Sequence, residues 1–172
     1  VHFGFTEEQQ AFGSLARKVA TDISPASDSE SDRFQVGPDA QKVLSETGLL
    51  GLLIPEDQGG SGATLIEGAI FAEELGRALA PASVASSALI SPAALPLLCD
   101  VSTRNEVATA IAQGQFCSVV VGSDLTWPPR GEGFAWGWQP DAIVLEPDAR
   151  GLRRSLMKTW SASPARAGTT RS

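Results

Sequence analysis

Glu73-Glu74-Leu75-Gly76-Arg77 offers two adjacent carboxylates of the kind used for general acid and base catalysis. Successive residues on a helix point about 100° apart, so the two cannot converge on one substrate atom. Arg77, four residues after Glu73 and three after Glu74, would keep its partner ionised, which reads as a structural ion pair. Gly59-Gly60-Ser61-Gly62, placed ahead of a helix, could hold a phosphate on free backbone N–H groups. No Gly-Lys-Ser/Thr follows it, and leucine occupies position 65 where a Gly-x-Gly-x-x-Gly pattern needs its third glycine, so the motif is weak. Cys99 and Cys117 are too far apart for a Cys-x-x-Cys redox or zinc pair, and the single histidine, His2, sits at a terminus. Metal chemistry and Cys/His catalysis are therefore not expected. Trp127, Trp136 and Trp138 could stack on a planar ring, although aromatic residues in β-rich segments more often fill the core. There is no nucleophile elbow, no Ser/His/Asp set and no coiled-coil heptad pattern.

The elements that must position these residues begin with a helix. Thr6 is its N-cap, Glu7 and Glu8 occupy the first turn, and Gln9 completes a capping box. Phe12, Leu15, Ala16, Val19 and Ile23 follow helical spacing as one buried face, and Pro25 marks the end. Residues 26 to 37, rich in Ser and Asp, read as a surface connection. A shorter helix follows, with Pro38 in its first turn, Val43 and Leu44 as its apolar side, and Gly48 as a left-handed cap. Leu49 to Pro55 is apolar without period, so it is buried, as a strand or an irregular turn. Glu56 to Gly62 is a loop suited to unusual backbone angles. Thr64 and Glu67 form a second capping box, opening a helix whose face Leu65, Ala69, Ala72, Gly76 and Leu79 is dominated by small residues that admit a close neighbour.

Ala78 to Cys99 carries no charge over 22 residues, enough to span a bilayer. Pro81, Pro92 and Pro96 interrupt it and Ser83, Ser86, Ser87 and Ser91 lower its hydrophobicity, so it reads as a buried, proline-broken helical segment. Thr103 and Glu106 suggest a further capping box, with Val107, Ala110 and Ile111 buried and Gly114 ending the helix. The period then changes. Phe116 to Val121 is a β-branched run, Trp127-Pro128-Pro129 and several glycines break the chain, and Ala142 to Leu145 reads as another strand. Two strands cannot bury themselves without more sheet.

At 172 residues, with 42% apolar and 19% charged residues, the composition is that of a soluble globular protein. All 20 acidic residues lie at or before Asp148 with 7 of the 13 basic ones, so residues 1–149 carry −13 and the last 23 carry +6. An acidic body speaks against nucleic-acid binding. The Ser, Ala, Thr, Gly and Arg content of Ser161 to Ser172 suits a poorly ordered terminus. Glu7, Glu8, Arg17 and Lys18 stand where a signal peptide would need an apolar run, so a reducing, cytoplasmic setting is expected. The expected fold is α+β: an all-α domain over 1–115, a partial β-barrel-like domain over 116–149 and a basic tail over 150–172.

Four linked motifs carry a resemblance. Phe5-Thr6-Glu7-Glu8-Gln9 with Ala16-Arg17, Glu46-x-Gly48-Leu49-Leu50-Gly51-Leu52, Pro55-Glu56-Asp57-Gln58-Gly59-Gly60-Ser61-Gly62, and Glu73-Glu74-Leu75-Gly76-Arg77 resemble, in order and spacing, the N-terminal helical domain of acyl-CoA dehydrogenases. Gly114-Gln115 followed by a strand is where that family enters its middle β domain. The family strand usually ends in Thr-Glu-Pro, whose hydroxyl and backbone contact the flavin. This chain has Ser123-Asp124-Leu125 there, keeping a hydroxyl and an acid without the proline.

The resemblance implies FAD-dependent α,β-dehydrogenation of an acyl-CoA thioester. A glutamate takes the α-proton, the β-hydride passes to FAD, and an electron-transfer flavoprotein reoxidises it. Ser123, Asp124 and Leu125 are the implied cofactor contacts. The family's catalytic glutamate lies in a C-terminal four-helix domain, so no glutamate of this sequence inherits the role. Two expectations follow. Either the chain is a truncated acyl-CoA dehydrogenase segment, not active alone, or it is a non-catalytic subunit pairing with a complete dehydrogenase. Both make it part of a homo- or hetero-oligomer.

Overall fold

The computed structural model describes residues 4–24, 36–122 and 133–155. His2, Pro25, most of the 26–37 connection, Ser123, Asp124, Leu125, Trp127 and residues 156–172 lie outside them. Helix α1 (Glu7–Asp22) starts as its sequence dictates: the Thr6 hydroxyl accepts from Gln9 N at 3.2 Å and the Gln9 side chain accepts from Thr6 N at 3.1 Å. Ala16, Val19 and Ala20 are buried on it and Ile23 just beyond it, whereas Phe12 is half-buried and Leu15 is exposed. Helix α2 (Pro38–Thr47) ends at Gly48, whose φ of 67° is the expected left-handed cap. Of the two expected forms the structure has the turn and not the strand: Leu49–Gly51 is a 3-10 turn with all three residues buried.

Helix α3 (Leu65–Arg77) opens with the Thr64 capping box. The charge-free segment folds as one run of helical turns: α4 (Ala82–Ala85), a π-turn at Ser86–Ile90, α5 (Ser91–Ala94) and a 3-10 turn at Leu95–Leu97. Among the described residues no helix is long and apolar enough to cross a membrane. The N-cap of helix α6 (Val101–Ala112) lies three residues before the expected Thr103. Asp100 is the cap, its carboxylate accepting from Thr103 N at 2.7 Å. By accepting the amide of Thr103, Asp100 starts the helix earlier, which places Thr103 inside the first turn.

The sheet has four strands in the order β2-β1-β3-β4, built from β1 (Cys117–Gly122), β2 (Gly133–Trp136), β3 (Ile143–Asp148) and β4 (Gly151–Ser155). β1 pairs antiparallel with β2 and parallel with β3, and β3 pairs antiparallel with β4. The two extra strands supply the sheet that the two strands legible in sequence required. β4 lies within the segment that composition assigned to a tail: Leu152 is buried and Arg153 bonds to Glu146 at 2.7 Å across the hairpin. Helices and sheet share one apolar cluster running from Ala16 through Phe71 and Ile111 to Leu145 and Leu152.

Three of the four buried serines of the helical run are accounted for at the sheet. Ser86, Ser87 and Ser91 donate to the Cys117 carbonyl oxygen at 3.2, 3.1 and 3.0 Å, and Cys117 N donates to Ser87 Oγ at 2.9 Å. An unpaired hydroxyl in a dry core is costly, so these serines are tolerated because β1 presents a backbone group to them.

Close approach fixes Gly51 and Gly60. A Cβ at Gly60 would stand 2.1 Å from the Ile54 carbonyl oxygen, while one at Gly76 would meet nothing within 4 Å. Gly60→Ala is expected to cost about 3 kcal/mol or more by overpacking against backbone. Gly76→Ala, on an exposed helical turn, is expected to gain about 0.5–1 kcal/mol. Urea unfolding of both variants checks the pair. Equal midpoints would contradict this packing.

Candidate functional site

Glu74 projects from α3 toward α1, where Arg17 grips it with both arms: Nε to Oε2 at 3.1 Å and Nη2 to Oε1 at 2.9 Å. Arg77 Nε stands 3.4 Å from Oε2 and its Nη2 pairs with Glu73. The sequence showed the Arg77 pair. It did not show Arg17, 57 residues away, whose only local sign is a cation flanked by the buried Ala16 and Val19. Glu74 is only 5% exposed. Hydrogen bonds from Arg17 hold its carboxyl below the ordinary carboxylate range, outweighing the opposing effect of burial, and the charges of Arg17 and Arg77 add to them.

A second carboxylate ties the same two helices. Glu67 accepts from Thr64 Oγ1, from Gln9 Nε2 at 3.1 Å and from Thr64 N at 3.0 Å, and these bonds pull it down to about 2. Because Gln9 and Glu67 each close a capping box, their mutual bond locks the start of α1 to the start of α3. Asp100 is lowered likewise by the Thr103 hydroxyl and backbone. Each of these carboxylates is held ionised, the opposite of the raised pKa that suits a base for a weakly acidic carbon.

The glycine loop cannot serve as a phosphate cradle, because its amides are already used. Gly59 N donates to Glu56 O, Gly60 N to Pro55 O, Ser61 N to Gly51 O, Gly62 N to Ile54 O and Ala63 N to Leu52 O, all at 2.8–3.0 Å. The small-residue face of α3 is also placed differently from expectation. Ala69, Ala72 and Gly76 are exposed, as are Leu65 and Leu79 at 78% and 82%, while Gly68, Ile70, Phe71, Glu74 and Leu75 are buried. α3 has two apolar faces, and the one carrying the bulkier Phe71 and the Arg17 partner turns inward. Phe5, Leu65, Ile66, Ala69 and Ile70 line a shallow depression of about 280 Å³ on this surface.

At the open end of the sheet, Val119 faces Trp136 and Val121 faces Phe134, so the four side chains share one side of the hairpin. Phe134 is exposed, and Val121, Trp136 and Trp138 are half-buried, so neither tryptophan is a core residue in the full sense. β1 ends at Gly122, and Ser123, Asp124 and Leu125 come next in the chain, outside the described residues. Cys117 is buried, which pushes its thiol up to about 11 and removes it as a nucleophile. Exposed Cys99 donates to Arg150 O. Among the described residues no three His, Cys, Asp or Glu side chains are grouped as metal ligands.

The lowered Glu67 and Glu74 carboxyls give acid sensitivity a sign. Each is more readily ionised in the folded chain than at the usual 4.5, so its contribution is complete above pH 4.5 and is lost as pH falls below it, for Glu67 on the way down to about 2. The urea midpoint is expected to decline across that window, and Glu67→Gln to lower it at pH 7 while flattening the decline. A variant that changes neither would contradict the interlock.

The model of the acyl-CoA dehydrogenase N-terminal domain matches residues 6–114. The chain is 38% identical over 96 residues to acryloyl-CoA reductase (NADH) of Anaerotignum propionicum, covering 54% of this chain and 24% of that protein. It is 31% identical over 98 residues to the probable acyl-CoA dehydrogenase YngJ of Bacillus subtilis, covering 56% and 26%. It is 31% identical over 118 residues to the acyl-CoA dehydrogenase IpdE2 of Mycobacterium tuberculosis, covering 67% and 36%. The chain thus spans between 24% and 36% of the length of these relatives. In three dimensions it resembles a chain of the ChsE4-ChsE5 complex of Mycobacterium tuberculosis, with a TM-score of 0.64 at 20% identity over 90% of this chain and 48% of that one, a likeness of fold. By this match over more than half its length, the chain belongs to the acyl-CoA dehydrogenase family, carrying that family's N-terminal helical domain followed by a small sheet.

Proposed function

We propose that the chain contributes the helical scaffold and the cofactor-side strand of an acyl-CoA dehydrogenase system, FAD-dependent and acting on the CH–CH group of an acyl-CoA thioester, and does not itself supply the catalytic base. The observation that carries this reading is the passage from the matched helical domain into β1, whose end leads directly to Ser123-Asp124-Leu125. A planar ring needs an apolar wall beside hydrogen-bonding groups. Val121, Phe134 and Trp136 on one side of the hairpin offer the wall, with Phe134 40% exposed. Ser123, with a hydroxyl, and the backbone of Asp124 and Leu125 would hold the polar edge. The residues present therefore suit FAD, which when bound supplies the hydride acceptor.

The remaining parts of the reaction fall to other groups. Removal of an α-proton calls for a carboxylate of raised pKa near the thioester, and the described carboxylates with shifted pKa values, Glu67, Glu74 and Asp100, are all lowered. Glu67 and Glu74 fasten α3 to α1, and Asp100 caps α6. The base is then expected from a further helical domain, in the same protein or in an associated subunit, with acyl-CoA as substrate and an electron-transfer flavoprotein as oxidant.

A second reading, a non-catalytic subunit that pairs with a complete dehydrogenase, is favoured by the exposed apolar residues Phe5, Leu65, Ile66 and Leu79 around α3. Steady-state oxidation of acyl-CoA with an artificial electron acceptor separates the possibilities. The FAD-loaded 172-residue chain is expected to show no sustained turnover. Turnover by the isolated chain would overturn the assignment. Enhancement of a complete dehydrogenase through a defined complex would favour the second reading.

A further inference from the structure

We propose that the π-turn at Ser86–Ile90 is a clamp that sets the position of β1, with Ser86, Ser87 and Ser91 as its positioning residues. On an α-helix, residues five apart lie about 140° from each other around the axis, so Ser86 and Ser91 could not reach one acceptor. A π-turn bonds residues five apart and brings them nearly into line. Here that bond runs from Ser91 N to Ser86 O, between the same two residues whose hydroxyls meet on Cys117 O. Ser87 sits between them and bonds both to Cys117 O and from Cys117 N. All three serines and Cys117 are fully buried, so no water competes for the carbonyl.

The other side of the clamp is the turn between β2 and β3. Ser118, next along β1, donates to Gly137 O at 3.1 Å. Gly137 has φ of 68° and lies so close to the same helical run that a Cβ there would stand 2.7 Å from Ala82 O and 2.8 Å from Ser86 Cβ. β1 is therefore held at two consecutive residues. Ser83 is equally buried and makes no hydrogen bond among the described residues, so burial of a serine on this helix does not by itself create the contact. The link from the clamp to cofactor binding rests on the function proposed above, since β1 runs from Cys117 toward Ser123-Asp124-Leu125.

Amide hydrogen exchange of the full chain tests the clamp. Ser87→Ala is expected to speed exchange over Cys117–Gly122 about tenfold relative to the Ser83→Ala control, and by clearly more than it speeds exchange at α1 and α3. Ser91→Ala removes one donor and leaves Ser87 in place, and it gives the same local acceleration should Ser87→Ala not fold. Exchange at β1 in these variants equal to that of Ser83→Ala would overturn the proposal. Acceleration at α1 and α3 as large as that at β1 would overturn it too. In parallel, FAD titration by fluorescence is expected to show weaker binding, about fivefold or more, in the Ser87 and Ser91 variants but not in Ser83→Ala. If the unaltered chain takes up no FAD, the proposed function fails, and the exchange result still decides the clamp.

Discussion

One backbone carbonyl, that of Cys117, joins the helical body of this protein to its sheet. Three serine hydroxyls converge on it from a helix, and a fourth bond returns from the Cys117 amide. A β-strand entering a dry core must find partners for its first polar groups, and here β3 supplies one set and the helix the other. The apolar run from Ala78 to Cys99 is therefore best understood as the surface on which the sheet is laid. Its lack of charge follows from being packed against β1 in the shared core, and Ser86, Ser87 and Ser91 follow from the one place where the strand's backbone must be met.

The acidic side chains have a comparable structural logic. Glu74 and Glu67 both reach across from α3 to α1, one to Arg17 and the other to Gln9. Burial alone would raise Glu74, and the paired guanidinium reverses that, so the carboxylate remains charged and fixed. The chemistry proposed above calls for a carboxylate that takes up a proton, and these two serve the opposite end. They set the angle of the helices that carry the rest.

Features decided within one turn of chain were legible from sequence. The capping boxes at Thr6 and Thr64, the left-handed Gly48 and the β-branched run after Phe116 each depend on residues at most a few positions apart. Features decided by distant contacts were not. Leu65, Ala69, Ala72 and Gly76 make a respectable helical face, yet Phe71 and Leu75 made the better one, and only the position of α1 distinguishes them. Asp100 displaced Thr103 as a cap because two candidates lay within one turn of each other. β2 and β4 are four and five residues long, too short for a clear alternation, and they become strands by pairing with β1 and β3. The amides of the glycine loop looked free because their acceptors at Gly51, Leu52 and Ile54 belong to a turn with no regular pattern.

If the Cys117 junction makes helices and sheet one cooperative unit, their unfolding must coincide. The sequence provides separate probes: the last of the described helices ends at Ala112, and all four tryptophans fall at or after Trp127. Far-ultraviolet circular dichroism therefore reports the helical body and tryptophan fluorescence the β-containing part. Followed together through urea, the two signals are expected to give a single midpoint and slope. Fluorescence lost at clearly lower urea, with the helical signal intact, would show that the sheet is an appendage and that the junction does not hold it.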